Sequence, residues 1–158
     1  MTKVLFVCLG NICRSPLAEG LFRKAVDSSH FADRIICDSC GTSNYHIGEL
    51  PDSRTRENAW QYGLELSHRA RQFSLDDFHK FDFILAMDRQ NLSVIQQWQK
   101  ENTIEYPNLS LMREFDPLQS HPDVPDPYFG GPGGFQEVFD ILARSSDRLL
   151  QHVISEIS

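Results

Sequence analysis

The stretch VLFVCLGNICRSP, residues 4–16, predicts a buried strand, a loop and a helix start in direct succession. The apolar run at 4–7 is nearly continuous, as expected of a central strand covered on both faces. It ends in Cys8, and a Gly-Asn turn follows, whose residue types tolerate a positive φ. A Ser-Pro pair at 15–16 is a favourable start for a helix. We therefore expect a thiol at the end of a strand, one loop before a helix.

The rest of the chain alternates between strand and helix patterns. Three further strands are predicted at short apolar runs: 34–39, 81–87 and 108–112. Apolar residues at spacings of three and four predict helices over 17–26 and 92–98, and a longer apolar stripe over 135–157. Such alternation favours a parallel, doubly wound sheet with a ligand site beyond the carboxyl ends of its strands. We expect a single α/β domain over residues 1–158.

Composition and charge exclude several classes of function. The formal net charge of -7 argues against general binding to nucleic acid. No window approaches the length of apolar sequence that a membrane span requires, and the apolar run near the start lacks a cleavage site. We therefore expect a cytoplasmic protein that binds neither nucleic acid nor membrane. Its four cysteines are too few for a disulfide scaffold, so they are catalytic, metal-binding or buried.

The loop at 9–15 has the features of an anion site. It opens onto a helix N-terminus, where unpaired amides and the helix dipole favour a bound anion. The same field, together with Arg14, favours a thiolate at Cys8. The planar fork of Arg14 can hold two oxygens of a tetrahedral oxyanion in the transition state. We expect Cys8 to attack phosphorus, with no metal ion or other cofactor, because amides and arginine supply the positive field.

A leaving oxygen needs a proton, and the acid is expected in the segment rich in proline and glycine at 116–134. Four carboxylates are candidates: Glu114, Asp116, Asp123 and Asp126. The prolines on both sides of Asp126 hold its backbone stiffly and favour it. The residues alone leave Asp123 open.

Two motifs resemble those of the low-molecular-weight protein tyrosine phosphatase family: VCLGNICRSP at 7–16 and DPYFGG at 126–131. Segments 38–48, 67–72 and 86–91 are similar to family segments in the same order. The resemblance implies a four-stranded parallel sheet with flanking helices. It also implies hydrolysis of phosphotyrosine and aryl phosphates through a phosphocysteine intermediate.

The resemblance also implies a role for each residue of the site. Cys8 is the nucleophile, Arg14 stabilises the transition state, and Asp126 acts first as general acid and then as base. The implied substrate-binding residues are Leu9, Gly10, Asn11, Ile12, Cys13 and Ser15, with Tyr45 and Tyr128 as aromatic walls. Asn11, Ser39 and His68 would form hydrogen bonds behind the loop, with Ser15 donating to the Cys8 thiolate. Cys13 can trap Cys8 as a reversible disulfide, and Asp88 is interpreted as structural support.

Three other functions have some support in the sequence. A thioredoxin-linked arsenate reductase of this fold carries extra cysteines after the third strand, and residues 81–100 contain none. A protein arginine phosphatase commonly has threonine in place of Ile12, and both enzymes stay as alternatives. A zinc or redox module on Cys37 and Cys40 is not expected, because no second suitably spaced pair accompanies them.

The expected partners are proteins that carry phosphotyrosine, with phosphate or another oxyanion in the loop. The net charge disfavours acidic segments around the phosphotyrosine, but nearby basic residues can reverse that preference. The basic residues that could reverse the preference are Arg54, Arg56, Arg69 and Arg71.

Overall fold

A parallel four-stranded sheet lies at the centre of the fold, in the order β2-β1-β3-β4. The structure, a computed structural model, describes residues 1–118, 120–128, 130 and 132–157. The strands are β1 (Thr2–Cys8), β2 (Ile35–Gly41), β3 (Phe83–Ala86) and β4 (Leu109–Leu111). Val4 of β1 pairs with Cys37 of β2 on one side and with Phe83 of β3 on the other. All four predicted strands are confirmed, with ends displaced by a few residues.

Helices cover both faces of the sheet. They are α1 (Arg14–Asp27), α2 (Ser53–Trp60), α3 (Asp77–Lys80), α4 (Arg89–Glu101) and α5 (Pro132–Ile157), and a short 3-10 helix spans Met112–Phe115. Alternate residues of β1 enter different cores: Val4 and Phe6 pack with α1 and α5, whereas Leu5 and Val7 pack on the α3 and α4 side. Among the described residues, no helix combines the length and apolar character of a membrane span.

The order of the strands creates a switch point at the end of β1. The chain leaves β1 to form β2 on one side, and β3 later pairs on the other side. The connections from β1 and from β3 therefore part at this end of the sheet, which opens a crevice beyond the carboxyl ends of the strands. Cys8, the last residue of β1, lies at its edge.

The first helix begins at Arg14, two residues before the predicted start at Pro16. Cys13 occupies the N-cap position, and Pro16 is the third helical residue. Proline is tolerated there because the first N–H groups of a helix have no partner within the helix. Arg14 therefore belongs to the rigid first turn and not to the loop.

Cys37 and Cys40 lie on opposite faces of β2. Cys37 belongs to the core under α1, whereas Cys40 belongs to the core on the α4 side. Residues three apart in a strand point in opposite directions, so these two sulfurs cannot share one metal ion. Burial raises the pKa of Cys37 to about 12 and that of Cys40 well above its usual value. Both are buried structural thiols.

The segment rich in proline and glycine, between the 3-10 helix and α5, is anchored by buried ion pairs. Asp116 is fully buried and accepts hydrogen bonds from Arg113 (3.0 Å) and Arg144 (2.7 Å). Arg113 also donates to the carbonyl of Asp123 at 2.7 Å. The prolines limit the backbone and these contacts fix its position, which is consistent with the predicted stiff loop.

Removing the Asp116 charge is expected to destabilise the fold. Burial acts to raise the pKa of Asp116, but hydrogen bonds from Arg144 and the Leu118 N–H lower it to about 2, below the ordinary 3.8. The stabilisation is therefore complete above pH ~4 and is lost as the pH falls through about 2. We expect Asp116→Asn to lower the free energy of unfolding by about 3 kcal/mol at neutral pH, measured by urea denaturation.

The matched control is Asp147→Asn, at an exposed position of α5, which should change stability by less than about 0.5 kcal/mol. The difference between wild type and Asp116→Asn should shrink between pH 4 and pH 2. Equal urea midpoints at neutral pH would show that this ion pair does not anchor the loop.

Candidate active site

A pocket opens at the carboxyl end of β1, at the switch point of the sheet. Its lining combines the end of β1, the following loop, the first turn of α1 and two more distant loops. The lining residues are Cys8, Leu9, Gly10, Ile12, Cys13, Arg14, Tyr45, His46, Asp126 and Tyr128. All of these except His46 were predicted as site residues from the sequence.

The Cys8 sulfur is buried and surrounded by hydrogen-bond donors. The backbone N–H of Asn11 donates to Sγ at 3.3 Å, and Ser15 Oγ lies 3.0 Å away. Asn11 Nδ2 donates to the same Ser15 oxygen at 2.7 Å. The single Ser15 hydroxyl proton has two acceptors within reach, Sγ at 3.0 Å and the Cys40 carbonyl at 3.3 Å. These contacts aim an N–H group and a hydroxyl group at the sulfur.

The loop after Cys8 is held in a conformation that exposes its amides. Asn11 has φ of 58°, in the left-handed region that asparagine tolerates. Within the part of the chain that the structure describes, the N–H groups of Gly10, Ile12 and Cys13 have no hydrogen-bond acceptor. Unpaired amides in a loop before a helix N-terminus are suited to the oxygens of an anion.

Glycine is needed near this loop for space rather than for positive φ. Both residues of the Gly-Asn turn were expected to tolerate a positive φ, and of the two it is Asn11 that adopts one. A Cβ on Gly10 would lie 3.0 Å from the His46 ring, and a Cβ on Gly41 would lie 2.6 Å from the Leu9 carbonyl oxygen. Gly10 therefore leaves room for His46, and Gly41, which the sequence pattern did not reveal, leaves room for the backbone of the loop.

Arg14 is buried and fixed by two acceptors on one side of its guanidinium. Nη1 donates to Asp88 at 2.6 Å and to the Val124 carbonyl at 3.0 Å. Burial acts to lower the pKa of Arg14, but the negative charges of Cys8 and Asp88 outweigh it and raise the pKa above its usual value. The guanidinium is thus a permanent cation that lines the pocket. Asp88 also caps α4 by accepting the Asn91 N–H at 2.7 Å, so it supports the site as interpreted from the sequence.

Asp126 is the one carboxylate among the four candidate acids that lines the pocket. Its Oδ2 lies 3.5 Å from Arg14 Nη2, and its Oδ1 accepts the Tyr128 N–H at 3.0 Å. Asp116 is engaged by arginines in the core, Asp123 pairs with Arg89 at 3.2 Å, and Glu114 accepts the Leu111 N–H. The geometry therefore favours Asp126 for chemistry in the pocket.

Comparison with known proteins decides the family. A family profile described as "Low molecular weight phosphotyrosine protein phosphatase" matches residues 3–158. The chain belongs to this family. The human low molecular weight phosphotyrosine protein phosphatase is 38% identical over 149 residues, 94% of each chain. The fission yeast (Schizosaccharomyces pombe) enzyme of the same name is 40% identical over 157 residues, 97% of this chain and 99% of the relative. The chain is accordingly a hydrolase of the phosphatase class.

Solved structures agree with this assignment. A protein tyrosine phosphatase from Entamoeba histolytica superimposes with a TM-score of 0.91 at 35% identity, over the full length of both chains. A structure described as a drosophila arginine phosphatase gives a TM-score of 0.88 at 33% identity, covering 96% of this chain and 97% of that one. The low molecular weight phosphatase fold predicted from the sequence is confirmed.

The aromatic walls of this phosphatase pocket come from two loops. Tyr45 is 71% exposed and stands at the rim, whereas Tyr128 is 36% exposed. His46 lies beside Tyr128, with 6.1 Å between ring centroids, and its Nδ1 contacts Glu49 at 2.8 Å. His46 was missed in the sequence because nothing in its local pattern distinguishes it from a surface histidine.

Two residues predicted to bind substrate lie behind the loop instead. The side chains of Asn11 and Ser15 are buried and do not line the phosphatase pocket. The positive φ of Asn11 turns its side chain toward the sheet, where Nδ2 donates to Ser15 and Ser39. Both side chains therefore lie behind the loop next to Cys8, and a substrate contact through the loop backbone stays a prediction.

The predicted contacts of Ser39 and His68 are present, and they end at an acid that the sequence did not reveal. Asn11 Oδ1 lies 2.8 Å from His68 Nε2, and the Ser39 hydroxyl donates to Glu19 at 2.7 Å. Glu19 also lies 3.2 Å from His68 Nδ1. Glu19 is buried on α1, where it also pairs with Arg23 at 3.1 Å, and Ser39 and His68 lie 20 and 49 positions away in the sequence. In the sequence a glutamate four residues before an arginine is typical of an exposed helix face, so nothing local indicates this role.

Cys13 lines the pocket next to the buried Cys8, and both thiols are free. Burial raises the pKa of Cys13 to about 12, which disfavours its thiolate at neutral pH. A reversible disulfide with Cys8 stays a prediction from the resemblance, which a loss of two hydrogens after peroxide treatment would reveal.

Proposed function

We propose that this phosphatase hydrolyses phosphotyrosine and other aryl phosphates through a covalent phosphocysteine on Cys8. The observation that carries the proposal is the meeting of three groups in one pocket: Cys8 Sγ, the Arg14 guanidinium and the Asp126 carboxyl. They supply a nucleophile, a fixed cation for the oxyanion and a proton carrier.

In the first step the Cys8 thiolate attacks phosphorus, forming the S–P bond while the bond to the aryl oxygen breaks. Asp126 gives its proton to the leaving oxygen, so a neutral phenol departs. Arg14 and the unpaired loop amides hold the non-bridging phosphoryl oxygens as charge shifts between them. Asp88 and Val124 hold Arg14 in place for that task.

In the second step water attacks phosphorus of the phosphocysteine. The Asp126 carboxylate takes a proton from that water, the S–P bond breaks, and inorganic phosphate is released. The sulfur leaves as a thiolate, which the Ser15 hydroxyl and Asn11 N–H stabilise by hydrogen bonding. The starting state is thereby restored.

The proposed substrates are proteins that carry phosphotyrosine. A thiol at the base of a pocket between Tyr45 and Tyr128 favours a phosphate carried on a long aromatic side chain over one on a short side chain. The apolar Ile12, which lines the same pocket, also favours an aryl ester. The four free cysteines fit a reducing compartment such as the cytoplasm.

A substrate panel tests this proposal. Matched peptides carrying phosphotyrosine, phosphoserine or phosphoarginine, and arsenate with a thiol reductant, are assayed in the presence of a chelator. We expect kcat/KM for phosphotyrosine to exceed that for the other substrates by at least about 100-fold. Faster turnover of phosphoarginine would favour the arginine phosphatase alternative, and arsenate reduction would favour the reductase.

A further inference from the structure

The four arginines near the pocket divide into two pairs with different partners. Arg54 contacts both carboxylate oxygens of Asp52, at 3.0 and 2.9 Å, and its guanidinium lies over the Tyr128 ring. Arg71 contacts Asp38 and Asp77, at 3.0 and 3.1 Å. The charges of Arg54 and Arg71 are therefore already neutralised within the protein.

Arg56 and Arg69 have no such partners. Arg56 Nε donates to the Pro51 carbonyl at 2.9 Å, and Arg69 Nη1 donates to the Gly48 carbonyl at 3.0 Å. Among the described residues, neither guanidinium lies within ion-pair distance of a carboxylate. Both side chains are exposed and keep further N–H donors for a ligand.

Arg56 and Arg69 line one groove, and that groove adjoins the catalytic pocket. Ile12, His46 and Tyr128 line both the pocket and the groove, so the two spaces share a wall. The groove has a volume of about 380 Å³, enough for the side chain of a peptide residue. A residue next to a phosphotyrosine bound in the pocket would lie within reach of it.

The groove carries a net positive charge once the ion pairs within the protein are taken into account. Of its two acids, Asp52 is paired with Arg54, and Glu49 contacts His46 at 2.8 Å, so a single unpaired carboxylate faces the two arginines. The local field around Arg56 and Arg69 therefore opposes the net charge of -7 carried by the whole chain. Guanidinium groups with spare donors match the geometry of a carboxylate.

We propose that Arg56 and Arg69 bind an acidic side chain flanking the phosphotyrosine, so that the enzyme selects phosphotyrosine in acidic segments. The proposal rests on the proposed function, since the phosphotyrosine must occupy the pocket for its neighbour to reach the groove. Arg14 holds the phosphate, and the groove arginines hold the flanking carboxylate. The two charges of the substrate thus have separate sites.

The test compares two phosphotyrosyl peptides that differ only in flanking residues, aspartate in one and asparagine in the other. The measured quantity is the ratio of their kcat/KM values at low salt. We expect wild type to prefer the acidic peptide by about five- to tenfold, and this preference to shrink at high salt. Arg56→Gln/Arg69→Gln should bring the ratio to about one, whereas Arg56→Lys/Arg69→Lys should keep part of it.

The matched control is Arg34→Gln/Arg148→Gln, which removes the same charge at exposed positions outside both the pocket and the groove. It should keep the wild-type ratio. Equal kcat/KM for the two peptides in wild type, or an unchanged ratio in Arg56→Gln/Arg69→Gln, overturns the inference while leaving the phosphatase mechanism intact. Failure of wild type to hydrolyse either peptide would instead overturn the proposed function.

Discussion

Cys8→Ser is expected to lower kcat on an aryl phosphate by at least about 10⁴-fold. A serine hydroxyl is close in size to the thiol, but it is not ionised at neutral pH, and Asp126 is placed beside Arg14 rather than beside Sγ. The surrounding donors from Asn11 and Ser15 cannot substitute for a base that would activate a hydroxyl. Initial rates at saturating substrate give kcat for the variant and for wild type.

Binding of inorganic phosphate, measured by calorimetry, separates loss of chemistry from loss of structure. Cys8→Ser should still bind phosphate, because the loop amides and Arg14 remain. Cys37→Ala, at a buried cysteine away from the pocket, should keep most of the activity. Turnover by Cys8→Ser at more than a few per cent of the wild-type rate would show that Cys8 is not the nucleophile.

Asp126→Asn is expected to lower kcat by about 10²- to 10⁴-fold for phenols that leave poorly. Asparagine keeps the size of the side chain and can still accept the Tyr128 N–H, but it cannot donate the proton that the leaving oxygen needs. The loss should shrink for nitrophenyl phosphate, because its phenolate departs without a proton. A series of aryl phosphates with graded leaving groups measures this dependence.

Asp123→Asn is the matched control for that experiment. It lies in the same segment and loses its ion pair with Arg89, but it does not line the pocket. We expect near wild-type kcat for it. A loss for Asp126→Asn that is equal across all leaving groups would argue that Asp126 shapes the pocket and does not transfer a proton.

The first strand, the loop and the nucleophile could be predicted because the signals are contiguous. An apolar run, a Gly-Asn turn and a Ser-Pro pair act over 13 residues, 4–16, so short-range preferences determine the outcome. The start of α1 was misplaced by two residues because proline is accepted at several positions of a first turn. The free energies of alternative helix starts differ little, so the sequence does not determine the exact first residue of a helix.

Local patterns do not predict the supporting contacts: the resemblance alone indicated Ser39, His68 and Asp88, and Glu19 was missed. Glu19 reaches Ser39 and His68, and Asp88 reaches Arg14 across 74 positions. The residue type alone does not show whether a carboxylate on a helix faces the core or the solvent. These pairings follow from strand order and helix packing, which a local pattern does not contain.

The choice among the candidate acids also depends partly on local sequence and partly on the fold. Flanking prolines favoured Asp126, but only the fold reveals that Asp116 is held by Arg113 and Arg144 in the core. The sequence placed all the candidates near one another. The arginines that engage the others come from separate elements.

Trapping the covalent intermediate tests the central claim most directly. Asp126→Asn is mixed with nitrophenyl phosphate, because this variant should form the phosphocysteine faster than it activates water to break it down. The reaction is quenched in acid, digested and examined by mass spectrometry. We predict one phosphoryl group on Cys8 and none on Cys13. Phosphate release with no phosphoryl group on Cys8, or with the group on another residue, would contradict the mechanism.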